Sequence, residues 1–365
     1  MRIRAAVTES TGAPFEIAEL ELGELRAGEV LVEVAASGIC HTDLICRDQW
    51  IPVPLPAVLG HEGAGVVMAV GSSVTHLAVG DRVGMSFNSC GRCPMCLRGQ
   101  GTYCHDIFGR NFAAARPDGT SAYSRAGEVV HGHFFGQSSF ATHSVATARN
   151  VVSLPDSVDF EIAAPFGCGI QTGAGAVLNV MRPPVGSSIV VTGTGAVGLS
   201  AVMAAVIAGC GTIIGVDVKP NRLELARDLG ATHVIDANSG DFGEEIRRIT
   251  GGGANYAIET TGAPPVLRTA LEALAPRGEL GVIGAPEFGV DVSLEVQSIL
   301  SVGRVIRGIV EGDAVSELFL PTLIDLWQRG RFPVDRMMVN YDFDRINEAV
   351  HDAEEGTTIK PVLVM

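Results

Sequence analysis

The chain has 365 residues, enough for two domains that each bury a core of their own. With 47% hydrophobic and 18% charged residues it falls among compact folded proteins and not among disordered ones. A formal net charge of −15 without any basic run argues against a surface that tracks nucleic-acid phosphates, so no nucleic-acid partner is expected.

The N-terminal stretch MRIRAAVTES has two arginines but no apolar run behind them, so it does not read as a secretory leader. Residues 30–34, 63–70 and 81–84 read as short strands punctuated by Gly and Pro, and no long helix is expected before about residue 160. From there the pattern becomes βαβ: strands at 188–192, 212–217, 232–235, 256–259 and 279–283, with helices at 197–208, 220–229, 241–250 and 264–274 between them. Such alternation predicts a parallel, doubly wound sheet, so the fold class is α/β with a mostly-β first part. Helical runs follow at 315–329 and 343–355, and the apolar tail 361–365 can pair as a strand. The best break in composition falls near residue 165. The nearly uncharged stretch 189–216 carries six glycines and reads as strand–turn–helix–strand, not as a membrane span. A cytoplasmic location is expected, and there eight cysteines point to metal or catalysis before disulfides.

The string Val190-Val-Thr-Gly-Thr-Gly-Ala-Val-Gly198 leaves a strand and opens a helix in the G-x-G-x-x-G arrangement. Gly193 permits the tight turn, Gly195 lets the backbone approach a pyrophosphate, and Gly198 lets helix and strand pack closely. Ala196 and Val197 supply helix N-terminal N–H groups that face the anion. The next strand ends in Asp217, placed to read a ribose 2′-hydroxyl and to repel a 2′-phosphate, which favours NAD over NADP. Arg222 is the nearby residue that counts against that preference.

Cys90, Cys93, Cys96 and Cys104 form C-x₂-C-x₂-C-x₇-C in one Gly-rich loop. Four thiolates so close in sequence suit one tetrahedral structural Zn²⁺, with an iron–sulfur cluster as the competing reading. Cys210 and Cys46 have no partner spacing and read as small buried apolar groups. Cys40 and Cys168 each sit among small residues, and His61 and Glu62 lie between them in Gly60-His-Glu-Gly63. One histidine and two cysteines can build an N/S₂ zinc site with an open fourth position.

Taken together, Cys40-His-Thr-Asp43, Gly60-His-Glu62, the four-cysteine lobe, Gly167-Cys-Gly169 and Gly193–Gly198 resemble the zinc-dependent medium-chain alcohol dehydrogenases, in order and spacing, over essentially the whole chain. The Cys₂His donor set is itself the one known from alcohol dehydrogenase, so it is a match to a known case. Within the family the chain is most similar to the bacterial aryl (benzyl) alcohol dehydrogenases. The resemblance implies a GroES-like catalytic domain over 1–169, a Rossmann NAD-binding domain over 170–309, and a segment 310–365 returning to the first domain. It implies two zinc ions per chain: Cys40, His61 and Cys168 at a catalytic zinc, and the four-cysteine lobe at a structural one. Glu62 would be a nearby carboxylate or transient ligand, Asp43 the acceptor that orients the His61 ring, and Thr42 the group that holds the alcohol oxygen. His41, Lys360, Thr172 and Ile283 would contact the cofactor, the first two at its pyrophosphate and Thr172 beside the nicotinamide. Trp50, Ile51, Phe87, Phe140 and Ile309 would line an apolar substrate pocket.

The implied reaction is the reversible oxidation of a hydrophobic primary alcohol, benzylic or allylic, to its aldehyde with hydride transfer to NAD. Its small-molecule partners are that alcohol and aldehyde, no membrane is involved, and a homodimer or homotetramer joined through 293–308 is expected. Many relatives pass the released proton to a histidine three positions after the threonine; here that position is Ile45. Two alternatives within the family are a glutathione-dependent formaldehyde dehydrogenase and a general short-chain alcohol dehydrogenase. The first uses an arginine four residues after the last lobe cysteine, where this chain has Phe108, with Arg110 close by. Outside the enzymes, the alternatives are a zinc-ribbon interaction module and a non-catalytic reductase-like scaffold.

Overall fold

A computed structural model describes all residues, 1–365. The chain divides into two units: Met1–Cys168 with Ala314–Asp325 and Asp335–Met365, and Gly169–Asp313 with Leu326–Val334. The nucleotide-motif unit thus includes a short stretch, 326–334, from within the C-terminal segment.

The first unit is built on two mainly antiparallel sheets of five and seven strands. Its first strand, Arg2–Thr8, pairs with Glu16–Leu22, where Glu19 and Glu21 alternate with the buried Leu20 and Leu22. That alternation is what a sheet with one face on the core requires. The long strand Glu29–Gly38 is the spine of the second sheet, pairing with Gly63–Val70, His143–Thr147 and the C-terminal Lys360–Val364. The expected strands of the first half are present, the third as Arg82–Met85, and the apolar tail does add a strand. The structure adds Arg2–Thr8 and Glu16–Leu22, whose polar residues hide the pattern. The core here gathers Ile3, Leu20, Leu59, Phe134, Phe140 and Leu363.

The second unit holds six parallel strands. In spatial order they run His233–Asp236, Thr212–Asp217, Ser188–Thr192, Ala254–Glu259, Leu274–Val282 and Val305–Gly308. Numbered along the chain this is 3-2-1-4-5-6, the doubly wound arrangement whose ligand crevice lies at the carboxyl ends of the first and fourth strands. Helix Ala196–Ala208 is apolar on all sides and largely buried, as a helix pressed on the sheet must be. Helix Phe242–Thr250 starts on Asp241, whose carboxylate accepts from Gly243 and Glu244 N–H, and ends on left-handed Gly251. Helix Gly169–Gly175 follows Cys168 directly and was not legible in the sequence, because its run of small residues carries no periodicity. No helix is long and apolar enough to cross a membrane.

Candidate metal centres and dinucleotide motif

In the lobe, the sulfurs of Cys90, Cys93, Cys96 and Cys104 lie within 4.8 Å of one another, and none is in a disulfide. The separations are 3.9 Å for Cys90–Cys96, 3.5 Å for Cys93–Cys96 and 4.0 Å for Cys93–Cys104. A tetrahedron with ~2.3 Å metal–sulfur bonds has edges of about 3.8 Å, so the spacing suits one ion. A multi-iron cluster would hold its cysteines farther apart. Backbone N–H groups of Cys93, Cys90 and Asp106 donate to the sulfurs of Cys90 and Cys104 at 3.3, 3.3 and 3.4 Å. The Cys93 thiol is pulled down to about 6 by N–H donors at Cys96 and His105, whereas burial pushes Cys104 up to about 11. A cation that all four sulfurs share is the natural way to ionise the second as well.

The other cluster joins residues far apart in sequence: Cys40, His61, Glu62 and Cys168 offer ligand atoms within 4.8 Å of one another. Asp43 organises it. The Asp43 Oδ2 accepts from Cys40 N–H at 2.9 Å and caps the short helix His41–Arg47, while Oδ1 takes Gly60 N–H at 3.1 Å and faces His61 Nδ1 at 2.8 Å. Gln137 adds a second brace: its amide donates to His61 O at 2.8 Å and accepts from Gly63 N–H at 3.1 Å. The His61 ring lies against Phe135 with centroids 4.4 Å apart and takes the edge of Phe134 at 5.6 Å. Gln137 and Phe135 were invisible to sequence reasoning, since they belong to a loop whose path no local pattern announces.

His61 is fully buried and its Nε2 has no hydrogen-bond partner, an orphan that a metal ligand bond would satisfy. The hydrogen bond with Cys168 holds the Cys40 thiol well below its usual range against the opposing effect of burial, with His61 and Lys360 helping. Burial works against a charged His61, yet Asp43 and Cys40 overcome it and raise the imidazole well above its usual value. The cluster therefore favours thiolate beside positive charge, the electrostatics that a divalent cation supplies. The Cys₂His donor set, with Glu62 alongside, fits zinc.

Lys360, expected at the cofactor pyrophosphate, meets Glu62 in this structure. It is 2% exposed, and its ammonium lies 2.5 Å from Glu62 Oε2 and donates to Ile39 O at 3.0 Å. Gly38 makes room for this pair: a Cβ there would stand 2.1 Å from Glu62 Oε2.

The remaining expected site residues of the first unit separate by exposure. His41 is exposed and meets Trp50 edge-on at 6.5 Å; Trp50 is 43% exposed, and Ile51 and Thr42 are half-buried. The Thr42 hydroxyl lies 3.7 Å from the Cys40 sulfur. Phe87 is nearly buried, and Phe140 is wholly enclosed with its ring edge-on to Phe15 at 5.6 Å, so in this structure Phe140 contributes to the core and not to an open wall. Ile45 is buried within helix His41–Arg47. Phe108 is exposed, and Arg110 is paired with Asp106 at 3.0 Å.

In the second unit, Gly193 has φ +84°, and a Cβ on it would strike Thr260 Oγ1 at 2.5 Å. A Cβ on Gly198 would lie 1.8 Å from Gly193 O, while one on Gly195 would meet nothing nearer than 3.9 Å. Tight packing at the first and third glycines with open space at the second is the cradle a pyrophosphate needs, and helix Ala196–Ala208 begins there. Asp217 accepts from Thr194 N–H and hydroxyl at 2.6 and 3.0 Å and from Val218 and Lys219 N–H at 2.8 and 3.0 Å. Arg222 stands 4.0 Å from the same carboxylate. Ile283 follows strand Leu274–Val282, and its N–H donates to Glu259 O. Ile309 is buried, and Thr172 lies on helix Gly169–Gly175.

Comparison with known proteins agrees with this geometry. Residues 26–156 match the family model described as an alcohol dehydrogenase GroES-like domain, and residues 196–328 match that of a zinc-binding dehydrogenase. Geraniol dehydrogenase of Castellaniella defragrans is 44% identical, over 99% of this chain and 97% of that protein. The crystal structure of benzyl alcohol dehydrogenase from Acinetobacter calcoaceticus superposes with a TM-score of 0.97 at 46% identity, covering 100% of this chain and 99% of that one. The S-(hydroxymethyl)glutathione dehydrogenase of Paracoccus denitrificans is 34% identical over 100% of both chains.

Proposed function

The chain belongs to the zinc-dependent medium-chain alcohol dehydrogenases, and from that premise we propose that it oxidises a hydrophobic primary alcohol, aryl or allylic, to the aldehyde, reducing NAD and releasing one proton, reversibly. The observation that carries the reading is the convergence of Cys40, His61, Glu62 and Cys168, with His61 Nε2 left without a partner. In such a donor set a bound zinc would supply Lewis acidity toward a hydroxyl or carbonyl oxygen, and bound NAD would supply the hydride acceptor.

The chain's own residues do the rest. Asp43 fixes the His61 tautomer by accepting a hydrogen bond from its Nδ1–H, which leaves Nε2 to the cluster. Thr42, the residue before Asp43 in helix His41–Arg47, holds the alcohol oxygen by accepting a hydrogen bond from its hydroxyl. Ile45 offers that proton no onward group, so its exit runs through the cofactor ribose, His41 or water. The Glu62–Lys360 pair keeps a carboxylate beside the cluster without leaving its charge uncompensated. The second unit holds the dinucleotide by Gly193–Gly198 and reads its ribose with Asp217, while Arg222, Ile283 and Thr172 border the cofactor.

The aryl or allylic preference draws on the relatives named for geraniol and benzyl alcohol at 44 and 46% identity, against 34% for the S-(hydroxymethyl)glutathione relative. Exposed Phe108 stands where that alternative needs an arginine. A steady-state panel of benzyl alcohol, geraniol, ethanol and S-hydroxymethylglutathione tests this; a preference for the last overturns it. We further propose a homo-oligomer joined through strand Val305–Gly308, an edge strand whose four residues are all exposed. Residence in the cytoplasm is proposed because none of the eight cysteines is in a disulfide.

A further inference from the structure

Immediately after the edge strand Val305–Gly308, the chain enters a turn in which three successive residues have left-handed backbone: Glu311 at φ +50°, Gly312 at +63° and Asp313 at +50°. Two of the three are not glycine, and such conformations persist only where the surroundings over-determine them. Here the surroundings are helix Gly169–Gly175 and the π-helical segment Ala176–Met181 that continues it. A Cβ on Gly312 would stand 2.4 Å from Gln171 O and 3.0 Å from Thr172 O, and Asn179 donates to Gly312 O at 3.1 Å. The turn is thus pressed main chain to main chain against the stretch that carries Thr172.

This packing sets the nearly buried carboxylate of Glu311 against the helix. Its Oε2 accepts from the Gln171 amide at 3.1 Å and lies 3.4 Å from the Thr172 hydroxyl. Both neighbours are donors, an arrangement that suits a charged carboxylate. A hydroxyl that points its proton at Glu311 turns its methyl and lone pairs elsewhere, so the orientation of Thr172 is decided from behind. Oxidised nicotinamide carries a positive charge and reduced nicotinamide does not, so a fixed negative group behind the residue that borders the ring distinguishes the two.

We propose that Glu311 is a positioning residue that orients Thr172 and biases the dinucleotide site toward the oxidised, cationic nicotinamide over the reduced one. This rests on the reading of the chain as an NAD-dependent dehydrogenase with Thr172 beside the nicotinamide.

The test is equilibrium titration of the full-length, zinc-loaded protein with NAD⁺ and separately with NADH, for wild type and Glu311→Gln, followed by protein fluorescence. The substitution keeps an acceptor for Gln171 and Thr172 and removes the charge. It should weaken NAD⁺ binding by roughly fivefold to tenfold, the scale of one partly screened charge, and leave NADH binding nearly unchanged. Equal loss for both forms would make Glu311 merely structural and overturn the proposal, as would no change in either. If wild type binds neither form, the dehydrogenase reading itself falls and takes the proposal with it. Should Glu311→Gln fail to fold, Glu311→Asp draws the charge back by one methylene and should shift the same ratio in the same direction by less; an unshifted ratio there also overturns it.

Discussion

Asp43 and His61 face each other at 2.8 Å, Oδ1 to Nδ1, with both side chains wholly buried. The same carboxylate holds Cys40 N–H and Gly60 N–H, so one aspartate fixes two of the cluster's candidate ligands and the strand entry between them. Replacing it with asparagine preserves the volume and loses both the charge and the certainty of the His61 tautomer. Asp43→Asn should lower zinc affinity at this cluster by about 10- to 100-fold, read by competition with a chromogenic chelator. Affinity equal to wild type would mean that the Asp43 contact is incidental.

The lobe should behave as a separate, structural site. Wild type should carry two zinc ions per chain by metal analysis, and Cys93→Ser should carry one and unfold at a lower temperature. Its four sulfurs share one tetrahedral spacing, so loss of one thiolate should empty the site. One zinc in wild type would contradict the two-site account.

At Ile45 the proton has no side chain to receive it. Ile45→His should raise activity near neutral pH more than at alkaline pH, flattening the rise of the rate with pH. A pH–rate profile unchanged from wild type would show that proton exit does not limit the reaction.

Asp217 takes four donors from Thr194, Val218 and Lys219, so its charge is held in place and cannot swing aside for a phosphate. Asp217→Ala removes that wall while Arg222 remains nearby. The ratio of kcat/KM for NAD to that for NADP should fall by at least about tenfold, one unit charge's worth of discrimination. A constant ratio would place cofactor selection elsewhere.

His133 provides a pH signature of stability. Burial pushes its imidazole down to about 4, and the unfolded chain should titrate near the ordinary ~6.5. Between those values the unfolded state binds the extra proton. Stability is therefore complete above about pH 6.5 and declines as pH falls toward 4, by roughly 3 kcal/mol at most from this group. His133→Asn, which tolerates the left-handed backbone at φ +62°, should show a shallower decline in denaturant titrations. An identical slope would remove His133 from the account.

How much of this was legible beforehand depended on whether the chemistry was local. The βαβ strands and the G-x-G-x-x-G turn are encoded in short stretches, and Ser188–Thr192, Thr212–Asp217 and helix Ala196–Ala208 fall within a residue of their expected bounds. The lobe cysteines lie in one loop and announce themselves by spacing. The other cluster is assembled from residues 40, 61–62 and 168, and motif resemblance alone joined them in advance. What stayed hidden was second contacts: Gln137 on the His61 carbonyl, Phe135 on its ring, and Glu311 behind Thr172. Each depends on a loop path that no periodicity encodes. The burial of Lys360 on Glu62 was hidden as well: two residues far apart in sequence meet there, and the paired charge costs less than an isolated one.

Dependence of alcohol oxidation on the Cys40–His61–Cys168 cluster can be read from metal removal and return. NADH formation from benzyl alcohol should vanish when a chelator takes the zinc of this cluster and should return with about one equivalent of zinc per chain. Undiminished activity in protein shown by metal analysis to be zinc-free would contradict the account.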